Sequence, residues 1–446
     1  MLQNHWFSGA GRESAGYPSR VLSGTRRWNL KQFAAGALWR HPDFLRLWLG
    51  QSASMLGDEV AALAIPTVAI LVLGAGAFEL GILNALTYLP FLLFGLPAGV
   101  LVDRLRRRPV LIAADFIRAL VVASIPIAFA AGLLHLWQLY LVAFLTGILA
   151  VFFDVSYQAY LPNLVGKANL VEGNTKLTIS GSGTALVGPA LGGFLIQVVG
   201  AAWAVGADAF SFLVSSLSLL AIRAREATPE RALAKRASLL REIEEGLRFV
   251  FGHAVLRPIM IAGAIHNFGG IMVRTVFFLY AYRQLHLTPA AVGLIFALGA
   301  CGLLFGAMVS SFANRVAGVG PTLLICQLLT GVAYLLIPLA SLGLAFLVLV
   351  VSQLLLDVVR AAFNITAVSL RQAVTPDHLL GRMTASYRTV IWGVFPLGAL
   401  AGGIAGTRLG LVPAIVIGGL LTLAASGWLL TRSVYTLRAH PGMPSV

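Results

Sequence analysis

Charged and strongly polar residues inside long apolar runs need a chemical explanation, because a charge in hydrocarbon costs several kcal/mol unless it is paired or wetted. Asp58 and Glu59 sit near the middle of one such run, in SMLGDEVAAL. Arg274 lies near the middle of a later run, with His266 and Asn267 two turns before it. Asp357 and Arg360 stand three apart in a third, a spacing that lets them pair on one helical face. Acidic groups at that depth can take a proton from one side of a membrane and release it to the other, beside a pathway for a polar solute. The same residues can instead be salt bridges that hold helices together, Asp58 or Glu59 with Arg274 and Asp357 with Arg360. The residues alone leave both readings open.

Such positions presuppose membrane helices. Of the 446 residues 58% are apolar and 11% charged, which is not a soluble composition. About 20 apolar residues span a hydrocarbon core of ~30 Å. Twelve runs qualify: 44–73, 78–102, 109–131, 136–158, 174–199, 202–222, 257–283, 288–312, 321–342, 345–370, 387–407 and 411–431. The net charge of +15 would suggest nucleic acid in a soluble chain, but here the basic residues mark one face of a membrane and no nucleic-acid partner is expected. Of 32 Lys and Arg, 27 mark one face, only Arg283 and Arg408 fall on the other side, and Arg118, Arg274 and Arg360 lie within spans. The positive-inside rule then puts both termini in the cytoplasm and the chain in the plasma or inner membrane.

The pattern predicts an all-α integral membrane protein of twelve helices in two six-helix halves. A cytoplasmic tail over 1–40, without the apolar core of a signal peptide, precedes a half over 41–222. A linker over 223–256 leads to the second half over 257–432 and a tail over 433–446. Within the linker, SLLREIEEGLRFVF puts Leu239, Ile243, Leu247 and Val250 on one face, which predicts an amphipathic helix along the cytoplasmic surface. The halves read as copies. At an offset of 212, His41, Gly81, Pro109 and Pro126 fall on His253, Gly293, Pro321 and Pro338. At 210, Gly188, Gly192, Gly193 and Gly200 fall on Gly398, Gly402, Gly403 and Gly410. Parallel six-span repeats form a solute site between the halves near the midplane. Cys301 and Cys326 lie in apolar runs as packing residues, so no metal or disulfide framework is expected, and no cofactor. The chain has no H-E-x-x-H, G-x-S-x-G or phosphate loop, which argues against an enzyme and against direct ATP drive.

The stretch GLPAGVLVDRLRRRP, from Gly95 to Pro109, joins two spans by a very short basic turn. Gly99, Asp103, Arg104, Arg107 and Arg108 form a G-x-x-x-D-R-x-x-R-R pattern that resembles the loop 2–3 signature of the major facilitator superfamily, with Arg106 where that family usually has glycine. Gly95 and Gly99, four apart, suit close helix packing. The resemblance implies that the loop aspartate and arginines form a charge network with an acidic residue at the cytoplasmic end of span 4, which Asp154 matches, and with the start of span 11. That start, expected at 384–387, would offer a helix N-terminus to Asp103. Asp115 and Arg118 in span 3 lie within a few turns of the same end and are expected to join this conformational latch.

Gly188-Pro189 followed by Gly192-Gly193 in span 5 resembles the G-P-x-x-G-G signature of exporters in this superfamily, physically a kinked helix with a smooth packing face. LWRHPDFLRLWLGQSASMLGDEVAALAIP, FFDVSYQAYLPNLV with Gly173-Asn174, and RQAVTPDHLLGRMTASYR resemble the enterobactin-exporter-like branch, also called transmembrane secretion effectors, over about residues 38–432. The resemblance implies a secondary-active exporter of a small amphipathic molecule, such as a siderophore, macrolide or other secondary metabolite. The midplane acids would let it couple to protons as an antiporter, although span 4 lacks the arginine that drug/proton antiporters of the superfamily usually carry there, and a monomer in the lipid bilayer is expected. An importer or lipid flippase on the same scaffold is the alternative. Adjacent helical residues point about 100° apart. Since the branch resemblance runs through Gly57 and Asp58, Asp58 is expected to meet the pathway and Glu59 a neighbouring helix.

Overall fold

His41 and His253 stand 212 residues apart and do the same work. The Nδ1 of His41 accepts the Phe44 N–H at 3.1 Å, and that of His253 accepts the N–H groups of Val255 and Leu256 at 3.1 and 3.3 Å. Each satisfies backbone donors that a helix start leaves without partners. The computed structural model describes residues 36–102, 104–224, 226 and 239–438. Six helices follow His41: α1 (Pro42–Thr67), α2 (Ala77–Val102), α3 (Arg107–Ala130), α4 (Leu136–Val165), α5 (Leu170–Val199) and α6 (Ala201–Ala221). A linker helix α7 (Leu239–Gly252) precedes six more. These are α8 (Leu256–Leu279), α9 (Pro289–Val316), α10 (Val319–Leu336), α11 (Ala345–Val374), α12 (Leu380–Arg408) and α13 (Leu411–Ala424). With their short extensions, the helices other than α7 make twelve that are long and apolar enough to cross a membrane.

The repeat extends to backbone detail. α1 and α8 both continue into a single π-helical turn, Val68–Val72 and Tyr280–Gln284. Single 3₁₀ turns, Lys167–Asn169 and Asp377–Leu379, precede α5 and α12. Gly200 and Gly410, at φ 89° and 99°, make the sharp reversals into α6 and α13, a conformation open to glycine at little cost. Within the first half α1 packs on α5 and α6, α2 on α4, and α3 on α4 and α6. Within the second, α8 packs on α12 and α13, α9 on α11, and α10 on α11 and α13. Ile127, Phe210 and Phe312 are 67, 66 and 69% exposed, a surface that only lipid accommodates at this scale.

The halves meet along two seams, α2 with α12 and α5 with α9. Glycines permit both. A Cβ on Gly193 would lie 2.5 Å from the Pro289 carbonyl oxygen, and one on Gly81 would lie 3.0 Å from that of Ala399. The end of the bundle away from the Arg104–Arg108 turn is sealed between halves by hydrogen bonds. The Tyr282 hydroxyl bonds Thr67 Oγ1 at 2.8 Å, and Arg283 donates to the carbonyls of Gly74 and Ala75 at 2.9 and 3.0 Å. At the basic end, α7 lies against α12: Arg382 pairs with Glu245 at 2.6 Å, and Val250 is buried in a cluster with Leu256, Met260 and Met383. That buried part of the apolar face of α7 thus meets protein.

Candidate functional site

Near mid-bundle a cavity of about 400 Å³ opens between the halves. Its walls come mainly from α8 and α11, with α1, α2, α5, α9, α10 and α12 contributing. Glu59, His266, Asn267, Arg274, Asp357 and Arg360 all line it, among the rings of Tyr88, Phe277, Phe296, Tyr334 and Phe395. Asp357 and Arg360 pair within α11 at 2.6 Å, the separation their i,i+3 spacing allows, and Gln353 donates to the other Asp357 oxygen at 3.3 Å. Glu59 and Arg274, from opposite halves, are in no ion pair among the described residues. They bear on each other electrostatically across the cavity without forming such a pair.

Proton bookkeeping fixes one more group. Gln327 Nε2 donates to the Thr422 carbonyl at 2.7 Å, so its Oε1 faces His266 Nδ1 at 3.2 Å as an acceptor. His266 therefore carries its proton on Nδ1 and presents Nε2 as the second ring nitrogen, with the ring stacked 6.0 Å from Phe363. Asn267 donates to the Gly263 carbonyl at 2.7 Å.

Asp58 does not line this cavity. It lies within the first half, in the electrostatic neighbourhood of Arg118, Asp115 and Asp154, and it bears on Asp208 in turn. Gly57 provides the space for this: a Cβ there would lie 2.6 Å from Asp208 Oδ1. The 100° step between neighbours does separate the two acids, but Glu59 faces the shared cavity and Asp58 the carboxylate group of its own half. The alternative reading, a salt bridge of Asp58 with Arg274, has no such pair among the described residues.

The latch expected around the basic turn is arranged differently. Asp103 lies outside the described residues. Arg104 and Arg106 are exposed, while the N–H groups of Arg107 and Arg108 donate to Glu226 at 2.8 and 3.1 Å and the Arg108 side chain donates to the carbonyls of Leu219 and Leu220. These arginines thus fasten α3 to the end of α6. Asp115 and Arg118 do not reach the turn: they pair with each other at 3.4 Å, Ser215 donates to Asp115 at 2.6 Å, and the Arg118 guanidinium lies over Phe153 and Phe212. Asp154 faces Arg388 of α12 across a gap instead of the turn. Because α12 starts at Leu380, residues 384–387 lie a turn inside it and offer no N-terminal dipole. A Cβ on Gly95 or Gly99 would meet nothing within 4 Å, so these glycines are not in helix contact in this conformation. The Gly188 and Gly192 face lies on α1, against Glu59 and Val60, and Gly193 lies on α9; Pro189 lines the cavity.

Two buried ions escaped the sequence reading. Asp208 in α6 is 3% exposed and accepts from Ser211, and the criterion that singles out Asp58 applies to it equally. Lys176, also buried, pairs with Glu172 at 3.2 Å and lies 3.8 Å over the Trp39 ring, where a positive-inside count sees only a loop charge.

The model of the transmembrane secretion effector family matches residues 34–441. The chain belongs to that family. It is a multi-pass membrane transporter of the major facilitator type and not an enzyme. It is 27% identical over 372 residues to the multidrug efflux pump Tap of Mycolicibacterium fortuitum, covering 82% of this chain and 89% of that protein. It is 25% identical over 412 residues to the enterobactin exporter EntS of Citrobacter koseri, covering 91% and 95%. Macrolide efflux protein A of Streptococcus pyogenes is 24% identical over 266 residues, 60% of this chain and 65% of that one. Among solved structures, a bacterial homologue of the iron transporter ferroportin in its inward-facing state superposes with a TM-score of 0.69 at 17% identity, covering 89% of this chain and 100% of that chain. The nucleoside transporter NupG gives 0.68 at 12% identity over 88% and 99%. These likenesses show the fold.

Proposed function

We propose that this transporter exports a small amphipathic solute from the cytoplasm, in exchange for protons, as a monomer in the plasma or inner membrane. The observation that carries the reading is the shared cavity: Glu59 and Arg274 face it unpaired from opposite halves, among aromatic rings. A solute with an apolar body and a polar head finds both kinds of wall there. The relatives named above, an enterobactin exporter, a macrolide efflux protein and a multidrug pump, support efflux of such molecules.

On this reading the basic end is cytoplasmic, as its arginines favour. Solute enters from that end while Tyr282 and Arg283 hold the other shut, and rocking of the halves about the α2–α12 and α5–α9 seams exposes it outside. Glu59 and Arg274 contact solute. Asp58, with Asp115, Asp154 and Asp208 around the guanidinium of Arg118, carries the proton, since that group holds more carboxylates than cations even with Arg388 facing Asp154. Arg107 and Arg108 act at the basic turn by tying α3 to the linker and α6, and Asp103 and Arg104 serve the latch that closes this end in the other state.

The test is solute accumulation in everted membrane vesicles under an imposed pH gradient, screened over macrolides and siderophores. Glu59→Gln and Arg274→Gln should raise KM, while Asp58→Asn should lose gradient-driven uptake and keep solute binding. Accumulation independent of the gradient in the unaltered protein refutes proton exchange. Accumulation in right-side-out vesicles alone refutes export.

A further inference from the structure

A second, smaller cavity of about 220 Å³ lies on the α2–α12 seam, toward the basic end from the first. Asp154 and Gln158 of α4 form one wall, Arg388 and Trp392 of α12 the other, with Phe91 and Leu92 of α2 between. Asp154 and Arg388 are both exposed, and neither is in an ion pair among the described residues. The Arg388 guanidinium rests 5.4 Å over the Trp392 ring, which presents it toward this space.

Four rings divide the two cavities. Phe91 packs on Trp392 with centroids 4.5 Å apart, Trp392 stacks on Phe395 at 6.2 Å, and Phe395 meets Tyr88 edge-on at 5.1 Å. Phe91 and Trp392 line the small cavity; Tyr88 and Phe395 line the large one. Each helix supplies its two rings at a spacing of three, on one face, so the rings form a continuous ladder from one chamber to the other.

We propose that the small cavity is a separate binding chamber for a planar aromatic group, with Asp154 as its pole for cations and donors, Arg388 as its pole for anions and acceptors, and the ring ladder as the partition that the aromatic group crosses into the central cavity. A flat ring can replace each ladder contact with its own stacking as it advances, so passage need not expose apolar surface to water. The order of the chambers rests on the transport reading above; the binding chamber itself does not.

The test titrates purified protein in lipid nanodiscs with two planar dyes, the cation ethidium and the anion 8-anilinonaphthalene-1-sulfonate. Asp154→Asn should weaken ethidium about tenfold and leave the anionic dye within about twofold, and Arg388→Gln should do the reverse, each the size of one charge-assisted contact. Ala385→Trp, which fills the chamber, should weaken both. Neither charged side chain has an ion-pair partner to strand, so these variants keep the fold; unchanged thermal stability checks this. If both dyes respond alike to the two charge substitutions, or neither responds, the chamber is refuted. Dye transport in everted vesicles is read separately. Charge-selective binding without export of either dye refutes the passage of the ring into the central cavity and leaves the chamber standing, and export without charge-selective binding refutes the chamber and leaves the transport reading standing.

Discussion

The seal at the end away from the basic turn offers the sharpest quantitative test of alternating access. Thr67 Oγ1 donates to the Leu63 carbonyl at 2.6 Å, so in its 2.8 Å contact with Tyr282 the tyrosine hydroxyl must be the donor. Tyr282→Phe therefore removes one buried hydrogen bond without stranding a donor, a loss of about 1 kcal/mol. Arg283 donates to two carbonyls of the opposite half but is itself exposed, so water replaces much of what Arg283→Gln removes, and about 1 kcal/mol is again the scale. Both contacts cross between halves and break when this end opens. The double variant should shift the equilibrium toward the open end by about 2 kcal/mol, roughly 30-fold in the population ratio. Spin labels on Ala131 and Ser341, exposed residues at this end of the two halves, report the separation once Cys301 and Cys326 are replaced by alanine. The expected result is a longer-distance population that grows in each single variant and dominates in the double. A distance distribution unchanged in the double variant would refute these contacts as the seal.

Glycine positions separate packing from gating: Gly193→Leu puts a side chain against the Pro289 carbonyl and should cost expression or thermal stability, whereas Gly95→Leu, with open space around it, should fold normally and stop transport by obstructing closure of the basic end. Equal tolerance at both sites would contradict the seam. Because Asp58 and Arg274 are not paired, Arg274→Gln should not rescue Asp58→Asn, and recovery of folding or transport in the double variant would show a salt bridge that this conformation lacks. At the start of α8, burial holds the His253 imidazole below its ordinary value while Nδ1 accepts two N–H groups. With the folded value below the unfolded one of about 6.5, this cap contributes fully above that pH and is lost as pH falls below it, on the order of 1 kcal/mol. His253→Asn, which keeps an acceptor that does not titrate, should flatten the decline in Tm between pH 7 and pH 5 relative to the unaltered protein; parallel declines would rule the cap out.

The fold was legible because its signals are long-range averages. Twelve apolar runs survive any single substitution, and the 212-residue and 210-residue offsets anticipated features as small as the two histidine caps. Those glycines that repeat between halves, Gly188, Gly192 and Gly193 with Gly398, Gly402 and Gly403, also fall at helix contacts. The reading failed where a pattern stands for more than one conformation. Gly95 and Gly99 are spaced for close packing, but a membrane protein that rocks packs such a face in one state and opens it in another, and a sequence does not say which state is in view.

The division between Asp58 and Glu59 shows why the site was harder than the fold. Both acids were found by the same rule, that charge within an apolar span demands a reason. Helical geometry required them to diverge, but which of the two faces the opposite half depends on how far α1 is rotated about its own axis. That rotation is set by Gly57, which admits the Asp208 and Ser211 side chains, and by Gly188, whose missing side chain leaves room for the Glu59 stem, since a Cβ there would lie 2.5 Å from Glu59 Cβ. Two glycines on different helices thus bear on which carboxylate faces the shared cavity and which stays with its own half. Seen this way, α1 keeps two adjacent charges in separate electrostatic surroundings. On the proposed reading, solute binding at Glu59 and proton uptake at Asp58 lie one residue apart on a rigid helix, close enough for either event to bias the rocking of the same element.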